Sequence, residues 1–110
     1  MAEYSGQTGS PIDQIAEATF AATTAMVTGT SGATGQANET LVGLFSGDSI
    51  TSSTAGGSYT QRIQQNTGGG ATTKAYSGLQ DLTVSSTGAY QATATGGATT
   101  NGIGVIITLK

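Results

Sequence analysis

The chain has 110 residues, enough for one small domain, and only 8% of them are charged, against roughly 25% in an ordinary soluble domain. Its net charge of −3 and its three basic residues, Arg62, Lys74 and Lys110, leave no electrostatic footprint for a phosphate backbone, which argues against nucleic acid as a partner. No apolar run approaches the ~20 residues that span a bilayer, and without cysteine there is neither a disulfide framework nor thiolate chemistry. Gly, Thr, Ala and Ser take the place of charge, so the surface is one of hydroxyls, amides and bare backbone. Copies of such a chain repel one another weakly. A single proline and organised apolar groups set it apart from disordered chains.

Residues 1–17 read as an irregular N-terminal segment punctuated by Gly6, Gly9 and Pro11. Met1 to Gly6 shows no basic-then-apolar signal pattern, so export would rely on an upstream segment or another route. Ile12, Ile15, Ala16 and Phe20 stand near helical spacing, which suggests a short helical turn leading into a strand. Residues 18–28 fit a strand rich in Ala, Thr and Val. Gly29 to Gln36 is a Gly/Ser/Thr loop. Asn38 to Ser46 is a near-continuous apolar strand covered on both faces, with Gly43 marking a bulge or a close backbone approach. Ser58 to Gln65 alternates, with Tyr59, Gln61, Ile63 and Gln65 on one face. A turn at Gly68-Gly69-Gly70, a short strand over Thr72–Ser77 and a further pairing at Leu82–Ser85 follow. Gly88 to Thr95 alternates again, and a polar connection from Gly96 to Gly102 suggests a hairpin into the closing strand, Gly102 to Leu109. About six or seven short strands make an all-β protein, an antiparallel β-sandwich of jelly-roll or immunoglobulin-like type, in one domain over 1–110.

Catalysis has little to work with. The chain lacks histidine and cysteine, and its six carboxylates, Glu3, Asp13, Glu17, Glu39, Asp48 and Asp81, are scattered along it. No cofactor is expected. Calcium is the one metal the loops at Asp48 and Asp81 suit, although both aspartates read more simply as turn residues bonded to local backbone. Asn38-Glu39-Thr40 fits the N-glycosylation pattern by a chance common in a Thr-rich chain. Lys74 and Lys110 raise the question of a Lys–Asp or Lys–Asn side-chain crosslink assisted by a nearby acid, which needs an apolar, aromatic-lined site in a chain with only six aromatics, whereas lysines are ordinarily solvated. Tyr4, Tyr59, Tyr76 and Tyr90 suit either a sugar-stacking face or the edge of a core.

Three stretches carry a resemblance. Ala2-Glu3-Tyr4-Ser5-Gly6 with Asp13-Gln14, then Asn38 to Phe45, then Thr87 to Ala94 with a closing strand ending in Lys110, together resemble the C-terminal half of a poorly characterised family of β-sandwich domains in secreted bacterial and phage structural proteins. The family's closing strand often carries a tryptophan, which this chain lacks. The resemblance implies no catalytic residues. It implies that the strands preceding Ala2–Gly6 in the family are missing, which would leave an open sheet edge and an uncovered apolar face for a second copy to complete.

The resulting expectation is a non-catalytic, self-associating structural protein of an extracellular assembly, filament or virion surface, with other copies of itself as partner. Its core or self-association strands are expected at Leu41, Val42, Leu44 and Phe45 and at Ile103, Val105, Ile107 and Leu109. The alternatives are a module binding a glycan or surface polymer, and a protein that clamps onto a phage capsid surface.

Overall fold

The computed structural model describes residues 2–6, 9–68 and 74–110. It is all-β and antiparallel, with β1 (Ile12–Val27), β2 (Asn38–Asp48), β3 (Ser53–Ala55), β4 (Thr60–Asn66), β5 (Ala75–Ser85) and β6 (Thr93–Leu109). The strands form one sheet in the order β1-β6-β2-β5-β4, with β3 on the other side of the start of β6. At ~3.3 Å per residue the 17-residue β6 would reach about 55 Å, yet the molecule's longest dimension is 44 Å. The long strands must therefore bend. The end of β1, the start of β6 and β3 fold across one face of the five-stranded layer, making a sandwich-like body whose two layers are one continuous sheet.

The core between the layers comprises Phe20, Met26, Leu41, Phe45, Ile50, Tyr76, Ala92, Ala94 and Ile106. Its aromatics lie opposite glycines. Phe20 pairs with Gly102, Phe45 with Gly104 and Gly78, and Tyr76 with Gly47. Gly43 lets the second layer close down, since a Cβ there would stand 2.6 Å from the Cβ of Ala92.

Several elements differ from the sequence expectations for identifiable reasons. β1 starts at Ile12, so residues 12–17 are strand rather than irregular or helical. The three-residue spacing of Ile12 and Ile15 comes from a bulge at Asp13. Ile12 pairs with Leu109 and Ile15 with Ile107, so the extra residue keeps both on one face. A second irregularity between Phe20 and Thr23 turns β1 into the other layer, with Ala22 at φ 50° and its N–H donating to Asn101 Oδ1 at 2.9 Å. Gly43 allows a close approach but makes no bulge, for the β2 register runs through it unbroken.

The hairpin expected at Gly96–Gly102 does not form, and β6 passes through it as one strand. Its glycines serve packing, with Gly102 lying under the ring of Phe20 and Gly96 facing Ile50 and Met26. Likewise Leu82–Ser85 continues a single strand from Ala75. The turn expected at Gly68-Gly69-Gly70 and the start of the strand expected at Thr72 lie outside the described residues, apart from Gly68 itself.

Residues 88–92 are extended but pair with the loop 28–34 in an unequal register. Thr28, Ser31 and Thr34 donate their N–H groups to the carbonyls of Ala92, Tyr90 and Gly88, at 3.0, 2.8 and 3.0 Å. Their hydroxyl oxygens accept the N–H groups of the same three residues, at 3.0, 2.9 and 3.2 Å. Three residues on one side thus oppose two on the other, a serially bulged ribbon. The signal is the repeat Thr28-Gly29-Thr30, Ser31-Gly32-Ala33, Thr34-Gly35-Gln36, in which every third residue is buried.

Candidate functional site

The five-stranded layer has a second face, turned away from the core, and strand alternation decides what it carries. On β2, Leu41 and Phe45 point into the core, while Val42 and Leu44 belong to the outer face. On β6, Ile106 is in the core and Ile103, Val105, Ile107 and Leu109 face outward. The eight residues singled out in the sequence therefore split by parity into two core residues and six on the outer face.

Cross-strand register makes those six part of a larger surface. Ile12 and Ile15 of β1 flank Leu109 and Ile107, Leu44 lies between Val105 and Leu79, and Ile63 of β4 flanks Leu79. A bulge between Gln61 and Ile63 shifts the register, so that Gln61 faces Gln80 and Ile63 faces Leu79. The alternation expected to keep Gln61 and Ile63 together is broken there. Ile15 is 59% exposed, Ile12 50% and Ile103 38%. A shallow hollow of about 230 Å³ opens in this face between Leu44, Ser46, Ser77, Gly78, Ile103 and Val105. The sequence reading missed Ile12, Ile15, Ile63 and Leu79 because their places depend on bulges and on partner strands.

Polar groups border the aliphatic area. The carboxylate of Asp81 accepts from Arg62 Nε at 2.9 and 3.0 Å and from the Tyr4 hydroxyl at 3.1 Å. Burial first, and then the bond to Asp81, push the Tyr4 phenol up to about 12. These groups line a hollow of about 460 Å³ beneath Ala2–Tyr4.

At the lower end of the core a second polar group gathers. Lys110 Nζ lies 3.1 Å from Asp13 Oδ1, and Gly35 N–H donates to Asp13 Oδ2. Glu39, 2% exposed, has both carboxylate oxygens buried without a donor among the described residues. The acids are thus not all scattered and solvated, as the sequence suggested. The Gly35 N–H first, then Lys110, hold the Asp13 carboxyl below the usual carboxylate range.

Asp48 and Asp81 belong to separate clusters, and neither is a local turn residue. Asp48 reaches across to β6, accepting from Asn101 N at 2.9 Å and Asn101 Nδ2 at 3.1 Å. No group of three or more His, Cys, Asp or Glu suited to a metal occurs among the described residues. Nor do the four tyrosines share a platform. Tyr76 is fully buried, Tyr59 and Tyr90 pack at the edge of the core, and Tyr4 bonds to Asp81 on the outer face. No helix among the described residues is long and apolar enough to cross a membrane. Comparison with family models, curated proteins and solved structures finds no match for this chain.

Proposed function

We propose that this chain is a non-catalytic structural subunit that associates with copies of itself through the outer aliphatic face, in an assembly outside the cell or on a virus particle. The observation that carries the reading is the exposure of Ile12, Ile15 and Ile103 on a face continued by Leu44, Val105 and Ile107. Contiguous aliphatic surface on a sheet is a cost to a monomer and marks an interaction site. A second copy is the occupant that fits. The low charge leaves little repulsion between copies. Two such faces, stacked about 10 Å apart as sandwich sheets stack, would bury each other's side chains about a two-fold axis.

The extracellular or virion setting rests on composition and on the resemblance to secreted and phage structural domains, which also leads one to expect an uncovered apolar face. The sugar-binding alternative has lost its tyrosine platform, while a capsid-binding protein would use the same aliphatic face. Sedimentation of the wild type and of the double variant Ile15→Glu, Ile103→Glu tests the reading. The wild type should sediment as a multimer and the variant as a monomer. Equal monomeric sedimentation of the two would refute it.

A further inference from the structure

The cluster at the lower end of the core holds more than an ion pair. Asp13 is the bulged residue of β1, with its side chain 9% exposed, and Lys110 approaches one of its oxygens while Gly35 N–H holds the other. An ion pair accounts for these two residues but gives Glu39 no part. A carboxyl buried with no donor among the described residues is costly, and its location demands a reason. The Asp13 carboxyl stands beside Glu39. Nucleophile, electrophile and proton carrier therefore come from three different strand ends, and Glu39 and Lys110 line one hollow of about 240 Å³.

We propose that Lys110 and Asp13 condense into a side-chain amide, with Glu39 as the proton relay, joining the first and last strands covalently. Within the ion pair a proton passes from the Lys110 ammonium to the Asp13 carboxylate, giving a free amine and a carboxylic acid. The Nζ lone pair attacks Asp13 Cγ and forms the C–N bond. The Gly35 N–H supports the charge that develops on Oδ2, which becomes the amide oxygen. Glu39 accepts a proton from the nitrogen and delivers it to the departing oxygen, the C–O bond breaks, and water leaves. Ammonium and carboxylate become amide and water, so the step balances without any co-reactant.

Amide formation in water is unfavourable between free molecules, but groups held in contact reach effective molarities of about 10⁵–10⁸ M. The fold holds these groups in contact. The crosslink would tie residue 13 to residue 110 in a chain that has no cysteine to staple it, and it would form whether or not the outer face binds another copy.

Mass spectrometry of the folded full chain tests this directly. The intact mass should fall below the sequence mass by one water. Digestion after Arg62 and Lys74 should leave residues 1–62 and 75–110 joined on a denaturing gel. Lys110→Arg keeps the charge but has no nucleophilic amine, and it should show the full mass and separate peptides. Glu39→Gln should leave the peptides separate or link them far more slowly. An unshifted mass in the folded wild type overturns the proposal. So does a lost water with separable peptides, which would place the dehydration within one segment. Linkage in Glu39→Gln at the wild-type rate would remove Glu39 from the reaction.

Discussion

Tyr59 carries a hydroxyl that is buried and has no partner among the described residues, and burial pushes its phenol up to about 12. An unpaired buried hydroxyl costs rather than contributes, so Tyr59→Phe should stabilise the fold by about 1 kcal/mol, read by chemical denaturation. A clear loss of stability would mean that the hydroxyl has a partner in solution. The raised values at Tyr4 and Tyr59 also set the alkaline limit. With a phenol at about 12 in the fold against an ordinary 10, the unfolded chain ionises first, so stability falls as the pH climbs from 10 to 12. Tyr59→Phe should flatten this loss. At Gly43 a Cβ would stand 2.6 Å from that of Ala92, so Gly43→Ala should cost about 1–3 kcal/mol by pushing the layers apart. Little of this was legible in the sequence. That Gly43 marks a close approach could be read, but the residue it approaches is 49 positions away and fixed by topology.

The elements show which sequence signals survive folding. The apolar runs Leu41–Phe45 and Ile103–Leu109 both appear as strands, the second with burial that follows side-chain parity, while in the first Val42 is buried although it lies on the outer face. The start of β1 misled because one inserted residue, Asp13, converts an alternating pattern into a three-residue spacing that imitates a helix. Glycine misled over Gly96–Gly102, where Gly102 lies beneath the ring of Phe20 instead of turning the chain. The loop 28–36 was legible as a loop but not as a structured ribbon. Its three-residue repeat makes sense only once residues 88–92 are seen beside it. Ser31 is the centre of that ribbon, and Ser31→Ala removes the acceptor for Tyr90 N–H. The expected loss is about 1 kcal/mol, accompanied by faster amide exchange at Tyr90. Ser31→Thr, which keeps the oxygen, should retain the protection.

At the scale of the whole molecule, charge is so scarce that individual carboxylates govern the acid limit. The N–H of Asn101 first, then its side-chain amide, hold the Asp48 carboxyl below the usual carboxylate range. The unfolded chain therefore takes up this proton first as the pH falls. Asp48 favours the fold above about pH 4, the ordinary value, and that contribution is lost as the pH drops from there through the lower folded value. Asp48→Asn should lower stability at neutral pH and give a flatter acid limb, a change visible in urea midpoints between neutral pH and pH 3. An unchanged limb would assign the acid sensitivity to other groups.

The same scarcity leaves the outer face with few charges, Glu17 beside Val105 and the Arg62–Asp81 pair at the border, where charge ordinarily keeps a sheet solitary. Half of this surface was legible in the sequence, through the β2 and β6 residues that now share it. The rest awaited the register that brings Ile12, Ile15, Ile63 and Leu79 alongside them. The measurement that bears most directly on the account is molar mass in solution, by light scattering after size exclusion, over a wide concentration range. A mass that is a multiple of 10.8 kDa, or regular particles at the void, is the expected result. A monomer at every concentration would contradict the account, because the aliphatic face would then stand in water with nothing to cover it.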